Sequence, residues 1–383
     1  MNRRVLMVST ASRWLGTARM PRSLARAGFE VALLAPRGSL ALHSRFVSKK
    51  SVLRDGSTPM QWLLSLVAMI NDVDPRLVVP CDEVAIRLLF ELVRKPPRDL
   101  DGDSGARIRR LVQQSLGDPA HYETSIDKTL LPAAAAALGV PVPRHAIVDT
   151  IEQAAEEARA LGYPVVLKRR YGFAGQGVAI LQRPDELRAA AGALLRPMQL
   201  DLGVQRPQKL LVQAFVDGAM LSQTMVAWDG VPVAGFARQR EVAFTAGKAA
   251  SAVVSTRKTP AIRDFTERMC RAFGMSGFFS VQYVEPDDGS PPVLLEINRR
   301  IVTFMHTDEY CGVDLCGALF QRLAGLPQTV PSDIADGVEP RVIVSFPREW
   351  LRDPESHWLR DHPTDIPWDD PEVFEAMVAQ RHD

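Results

Sequence analysis

The sequence predicts a mixed α/β and α+β chain: a doubly wound parallel sheet first, then a small α+β unit, then an antiparallel sheet. Three observations predict it. Short apolar runs alternate with amphipathic stretches up to about Gly117, the pattern of a parallel sheet wrapped by helices. Over 140–212, strand-like and helix-like segments alternate on a smaller scale. From Gln213 onward, strands follow one another through turns such as Asp229-Gly230, a hairpin signal.

The elements follow in order. "RRVLMVST" reads as the first strand, "RMPRSLARAG" as a helix stopped by Gly28, and "EVALLAP" as the second strand. "PRLVVPCDEVAIRLLFELV" repeats strand and helix, and the polar stretch Arg94 to Ala106 is a surface loop. No GxGxxG follows the first strand, which weighs against a dinucleotide site. The alanine-rich helix in "SIDKTLLPAAAAALGVPVP" ends at Gly139, with Pro141 and Pro143 barring continuation. Strand "RHAIV" and helix "TIEQAAEEARALG" come next, the helix capped by Asp149 or Thr150. Strand "YPVVLKRR", a glycine-containing loop, strand "VAIL", helix "PDELRAAAGALL" and strand "KLLVQAFV" complete the small unit. After the Asp229-Gly230 hairpin come helix "AIRDFTERMCRAFG" and strands "GFFSVQYVEP" and "PPVLLEINRR", joined by the turn "DDGSPP". From about Pro331 the chain is rich in Pro, Trp, Asp and Arg and reads as a packed appendage.

A chain of 383 residues, 46% hydrophobic and 24% charged, has room for two or three domains with a buried core. A net charge of +1 gives no footprint for bulk nucleic-acid or membrane binding. Cys81, Cys270, Cys311 and Cys316 form no CxxC pair, so reduced thiols in a cytoplasmic protein are expected. The N-terminus lacks a continuous apolar signal segment, and "WLLSLVAMI" is too short to span a bilayer.

Four constellations bear on chemistry. In "VVLKRRYGFAGQGVAIL", Lys168 leaves an apolar strand and Gly172, Gly175 and Gly177 space the following loop. Glycines let backbone N–H groups approach phosphate oxygens, and the lysine adds a point charge, although a plain hairpin turn has the same pattern. The Walker signature is absent. The last hairpin carries Gln282 on one strand and Glu296, Asn298 and Arg300 at alternate positions of the next. One carboxylate and two carboxamides suit magnesium only if phosphate oxygens complete its shell; the bland alternative is a solvated polar face. Arg238 and Arg240 share a strand face before a small-residue loop with Gly247 and Lys248, which suits an anionic substrate or a solvated basic face. "LLVQAFVDGAM" offers backbone groups at a strand exit, able to read an adenine edge.

The order of these pieces, with Lys128 ahead of them in "IDKTLL", resembles the ATP-grasp superfamily, and within it the carbamoyl-phosphate-synthase-like branch. There a Gln on one strand and Glu-x-Asn-x-Arg on the next form the metal hairpin, as "SVQY" and "LLEINRR" do here. The resemblance spans about 1–325 and implies four regions: a pre-ATP-grasp domain over 1–120, a lid over 121–212, a catalytic, metal-binding subdomain over 213–330, and an appendage over 331–383. It implies that Lys128 and Lys168 contact nucleotide phosphates and that Gly172, Gly175 and Gly177 close over the triphosphate. Gln213, Phe215 and Val216 would read adenine, and Gln282, Glu296 and Asn298 would hold magnesium. Arg300, Arg238 and Arg240 would face the transferred phosphoryl. Met220 and Gln213 depart from the acidic residues common at those positions, and Arg299 stands where the motif has proline.

The implied cofactors are ATP and Mg2+, commonly as two ions, with Mn2+ able to substitute. The implied reaction activates a small-molecule carboxylate as an acyl phosphate for attack by an amine, releasing ADP and phosphate. Competing readings are a carboxylase-type or kinase-type ATP-grasp enzyme, and a nucleotide-binding regulator or scaffold. No duplicated synthase half, glutaminase segment or biotinyl "MKM" occurs within these residues. Dimers are common among such proteins, so a homodimer is compatible with the resemblance. The acceptor pocket is expected between the first domain, the arginine strand and "VTFMHTDEY", where His306 is either a substrate contact or structural.

Overall fold

The computed structural model describes residues 2–54, 56–94, 102–172, 177–196, 208–245 and 250–379. Its first sheet is parallel: β1 (Arg4–Val8), β2 (Glu30–Pro36), β3 (Val47–Leu53) and β4 (Leu77–Pro80), in spatial order β3-β2-β1-β4. The helices α1 (Leu15–Arg26), α2 (Pro59–Val73), α3 (Glu83–Arg94) and α4 (Asp103–Leu116) alternate with these strands. Val5 and Met7 of β1 face one core, while Leu6 and Val8 face another shared with α2, α3 and α4. Burial on both faces is why this strand reads as an unbroken apolar run. β3 is different. Its "VSKKSVL" exposes Ser48, Lys49 and Lys50 at the sheet edge, and sequence reading did not find it.

Two short helices, α5 (Tyr122–Ile126) and α6 (Leu131–Ala137), lead into the second sheet. Its strands are β5 (His145–Val148), β6 (Val165–Arg169), β7 (Val178–Leu181) and β8 (Leu210–Ala214), antiparallel in order β5-β8-β6-β7. α7 (Ile151–Leu161) and α8 (Leu187–Leu194) pack on it around Ala154, Ala158 and Leu187. Thr150 caps α7, its Oγ1 accepting from the Gln153 N–H at 3.2 Å.

The third sheet has six antiparallel strands. These are β9 (Gly218–Trp228), β10 (Val231–Ala243), β11 (Ser251–Arg257), β12 (Gly277–Pro286), β13 (Val293–Asn298) and β14 (Val342–Val344), in order β13-β12-β9-β10-β11-β14. α9 (Pro260–Ala272) covers the face formed by Leu221, Met225, Phe279, Val281, Tyr283 and Ile297. The β9–β10 hairpin turns through Asp229 (φ 53°) and Gly230 (φ 70°), both left-handed as its two-residue turn requires. α10 (Leu315–Ala324) buries Leu315 and Leu319 in one core with Val5 and Leu33 of the first sheet and Val226 and Phe236 of the third. β14, α11 (Arg348–Arg352), α12 (His357–Asp361) and α13 (Pro371–Ala379) form the C-terminal segment. There Phe346, Val373 and Met377 pack on Ala18 and Leu40 of the first unit. No helix among the described residues is long and apolar enough to cross a membrane, and all four cysteines are free and buried.

The exit of α4 is knitted to the chain entering β12. Gly117 (φ 94°) forms an antiparallel bridge with Met275, and the Asp118 N–H donates to Gly274 O at 2.9 Å. A Cβ at Gly117 would stand 1.9 Å from Gly274 O, whereas one at Gly289 (φ 79°) would meet nothing within 4 Å. Gly117→Ala therefore combines left-handed strain with a backbone clash and should cost about 2–5 kcal/mol. Gly289→Ala should cost only the strain, about 1–2 kcal/mol. Thermal melts of the two variants check this; equal midpoints would remove the constraint assigned to Gly117.

Candidate active site

The register of the third sheet assembles the site. Glu296 on β13 lies opposite Gln282 on β12, Gln282 opposite Ser222 on β9, and Ser222 opposite Arg238 on β10. The neighbouring row runs Asn298, Ser280, Thr224. Alternation sends Phe279, Val281 and Ile297 into the core under α9 and leaves Ser280, Gln282, Glu296 and Asn298 on the other face. Thus one row gathers a carboxylate, a carboxamide, a hydroxyl and a guanidinium from residues far apart in sequence.

Glu296 is the electrostatic centre. Its Oε2 lies 3.2 Å from Lys128 Nζ, and its Oε1 accepts from Asn298 Nδ2 at 3.1 Å. Asn298 Oδ1 in turn accepts from Arg300 Nη2 at 3.0 Å, so a carboxylate and a guanidinium orient the amide from both ends. Burial alone would push Glu296 up, but the ammonium groups of Lys128 and Lys168 prevail and hold it below the usual carboxylate range. Lys168 is only 6% exposed; burial pulls it down to about 8, and Lys128 adds to that against the opposing pull of Glu296. Lys128 Nζ also donates to Gly172 O at 3.0 Å, tying the start of the glycine loop to the cluster.

β13 ends at Asn298, so the expectation that the strand carries Arg300 needs correction: Arg300 lies in the loop beyond. That loop is held by the first sheet, Ile301 N–H donating to Pro80 O at 3.1 Å. Arg300 Nε sits 3.3 Å from Glu83 Oε2, and its guanidinium carbon lies 5.1 Å from the centre of the Trp14 ring. Arg299, in the place of the family's proline, is also buried and donates to Leu116 O and, at 3.1 Å, to Ser125 Oγ. Asp82 fastens the loop leading to Trp14, accepting from Ser9 Oγ (2.7 Å), Thr10 N (2.6 Å) and Ala11 N (3.1 Å). Glu83 and Trp14 were missed in the sequence. Their signal was position alone, because both follow the C-terminal ends of parallel strands, where such sheets bind ligands.

A pocket opens between these pieces, lined by Trp14, Arg238, Arg240, Gln282, Glu296 and Arg300, with Val302, Thr303 and Phe304 beyond. It lies where the acceptor pocket was expected. Met220, in the place of a family carboxylate, lines it too. Arg238 Nη2 donates to Thr224 Oγ1 at 2.8 Å, its guanidinium lies over the Phe304 ring at 5.4 Å, and burial draws it down to about 10. Arg240 Nε donates to Ser251 Oγ at 3.1 Å. His306 belongs elsewhere: it is buried, with Nε2 3.1 Å from Asp365 Oδ2. Gln213, Phe215 and Val216 occupy the end of β8 and the connection to β9, and no hydrogen bond or ion pair among the described residues joins them to the Glu296 cluster. The Phe215 N–H is given to Pro164 O at 3.3 Å. Gly177 (φ 79°) precedes β7, while Gly175, Gly247 and Lys248 lie outside the described residues.

The donor set suits magnesium. Glu296, Gln282 and Asn298 offer only hard oxygen atoms, too few to enclose an ion unaided and apt for one that shares its shell with phosphate. Among the described residues no group of three or more His, Cys, Asp or Glu forms a metal cage of its own.

Comparison with known proteins agrees with this architecture. Residues 206–344 match a family model described as an ATP-grasp in the biosynthetic pathway with Ter operon. The carbamoyl phosphate synthase large chain of Thermus thermophilus is 27% identical over 170 residues, 43% of this chain but only 16% of that one. The biotin carboxylase domain of the Hydrogenobacter thermophilus 2-oxoglutarate carboxylase, solved with MgADP and bicarbonate, superposes with a TM-score of 0.64 at 16% identity, covering 87% of this chain and 72% of that one. N5-carboxyaminoimidazole synthase from Aspergillus clavatus, solved with ADP, gives 0.62 at 17% identity, covering 89% and 81%. The chain thus shares the fold of these solved structures, and its residues 206–344 match an ATP-grasp family model.

Proposed function

We propose that this chain is an ATP-dependent ligase that activates a small-molecule carboxylate as an acyl phosphate and passes it to an amine. The observation that carries the reading is the Lys128–Glu296–Asn298–Arg300 chain of contacts opening on a pocket with Arg238 and Arg240. Nucleotide phosphates lie against Lys128 and Lys168, beside Gly172, whose carbonyl accepts from Lys128. Adenine lies at the connection after Gln213; because Phe215 N–H is already used, backbone donation to the base falls to Val216. Glu296, Asn298 and Gln282 would hold magnesium, which when bound would supply neutralisation of phosphate charge.

The chain's own groups then do the rest. A carboxylate resists nucleophiles because of its charge and its poor leaving group. A substrate carboxylate oxygen attacks the γ-phosphorus, a P–O bond forms, and the bond to the bridging oxygen breaks with ADP as leaving group. Arg300, fixed by Glu83 and Asn298, faces the transferred phosphoryl oxygens; Arg238, in the same pocket, holds the substrate carboxylate in line. The amine lone pair next attacks the acyl carbon, the C–OPO3 bond breaks, phosphate departs, and the nitrogen gives up one proton to water. A carboxylase-type variant, with bicarbonate as the activated acid, is favoured by the two solved likenesses, both of carboxylating or carboxyamino enzymes by name.

Release of ADP and phosphate from Mg-ATP, against pooled carboxylates, bicarbonate and amines, tests the reading. Release is expected only with an acid and an amine together, and Glu296→Ala should reduce it by about 10²–10³-fold. Release that needs bicarbonate instead selects the carboxylase variant. Nucleotide binding without turnover in any pool would defeat both.

The pH dependence of nucleotide binding follows from Lys168. Without ligand its ammonium loses its proton near pH 8. A triphosphate beside it favours the charged form, so binding above that pH draws in a proton and affinity falls as pH rises, by up to about tenfold per unit. Lys168→Arg keeps its charge and should flatten the fall. Titration calorimetry at pH 9 in two buffers of different ionisation enthalpy reads the proton uptake; the same uptake in the arginine variant would rule out Lys168 as its source.

A further inference from the structure

The C-terminal segment, to which the sequence assigned no purpose, contributes Arg348 to the pocket. β14 extends the third sheet beside β11, with Val344 opposite Val253, and Ser345 N–H donates to Ala252 O at 2.8 Å. The chain then turns through Phe346 and Pro347 into α11, whose first residue, Arg348, lines the pocket with Arg238 and Arg240. Arg348 Nη1 donates to Ser251 O at 3.1 Å while Arg240 Nε donates to Ser251 Oγ at 3.1 Å, so a single residue holds two guanidiniums side by side. Arg238 completes the group, with its buried Nε lacking a hydrogen-bond partner among the described residues.

The charges do not balance locally. Lys128 has Glu296 and Arg300 has Glu83, but among the described residues neither Arg238 nor Arg348 makes an ion pair with a carboxylate. The carboxylate acting on Arg238 is Asp308, which burial pushes up to about 7. Burial brings Arg348 down to about 10 against the opposing pull of Asp365, a carboxylate already paired with Arg19, so Arg348 stays cationic at neutral pH.

Its position is fixed from behind. Phe346 N–H donates to Asp365 Oδ1 at 2.6 Å and Phe346 O accepts from Arg19 Nη2 at 3.1 Å. Asp365 also lies 3.3 Å from Arg19 and 3.1 Å from His306, all three buried. The segment that presents Arg348 is thereby locked to α1.

We infer that Arg348, with Arg240, receives a second anionic group of the acid substrate, making the substrate a dicarboxylic acid or acidic amino acid. This rests on the ligase reading: the reacting carboxylate lies toward Arg238 and Arg300, and the second lies against the C-terminal segment. A planar guanidinium pairs with a carboxylate through two parallel hydrogen bonds, and a monoacid would leave the Arg348 charge unmatched in a partly dry pocket.

The experiment compares matched acids, butanoate with succinate, pentanoate with glutarate, and alanine with aspartate and glutamate, in wild type, Arg348→Gln and Arg348→Lys. ADP release with Mg-ATP and pooled amines, nucleotide affinity, and thermal midpoint with each acid alone are measured. Diacids should exceed monoacids in kcat/KM. Arg348→Gln should raise KM for the diacid roughly 10- to 100-fold, with kcat, monoacid turnover and nucleotide affinity little changed. Arg348→Lys, which keeps the charge and lends itself to analysis if the glutamine variant misfolds, should fall between. Equal use of mono- and diacids by wild type, or a loss of nucleotide affinity together with kcat in both variants, overturns the inference and leaves the ligase reading standing. If no acid is turned over, the ligase reading fails by itself. In that case a midpoint raised by diacids in wild type but not in Arg348→Gln still upholds a dianion site, and no such rise overturns it.

Discussion

The arrangement turns on a single carboxylate held among buried cations. Lys128 and Lys168 are 7% and 6% exposed, and Glu296 is the acid that both of them feel. Removing an ammonium from water is costly, and one carboxylate shared by two of them offsets that cost only in part. The strain shows in Lys168, whose proton is held loosely. An anion entering this place is therefore favoured before any specific contact is counted, and it stabilises the fold by mass action.

Geometry reaches that cluster through strand register. Because side chains alternate with period two, a one-residue slip of β13 against β12 would turn Glu296 and Asn298 into the apolar layer under α9 and expose Ile297. The buried face of Phe279, Val281 and Tyr283 thus enforces the polar one. Hydrophobic burial and site geometry are two readings of the same alternation.

That coupling explains what the sequence could reveal. Strands buried on both faces, the Asp229-Gly230 hairpin, and the Gln282, Glu296 and Asn298 faces all obey local rules, so they were legible. β3 was not, because an edge strand is polar by necessity and its lysines erase the apolar signal. β11 and β14 were overlooked as well: β11 follows a small-residue loop, and β14 has three residues that acquire meaning only as an added edge. The partners of the site were least visible. Glu83 lies 217 residues from Arg300, and Arg348 lies 97 from the Ser251 carbonyl that holds it. No periodicity connects such pairs; only the packing of three sheets does.

Packing and polar contacts divide the work of joining those sheets. The apolar core that Val5, Met7, Leu33, Val226, Phe236, Leu315 and Leu319 share between the first and third sheets supplies the favourable energy, but it tolerates small displacements. The buried pairs Arg300–Glu83 and Arg19–Asp365 contribute little net energy, because desolvation consumes most of their attraction. What they contribute is position: a displaced partner would leave a bare buried charge. Each pair lies next to a pocket element, Arg300 itself in one case and the turn before Arg348 in the other. The pairs thus fix the pocket's guanidiniums with a tightness that apolar packing alone does not impose.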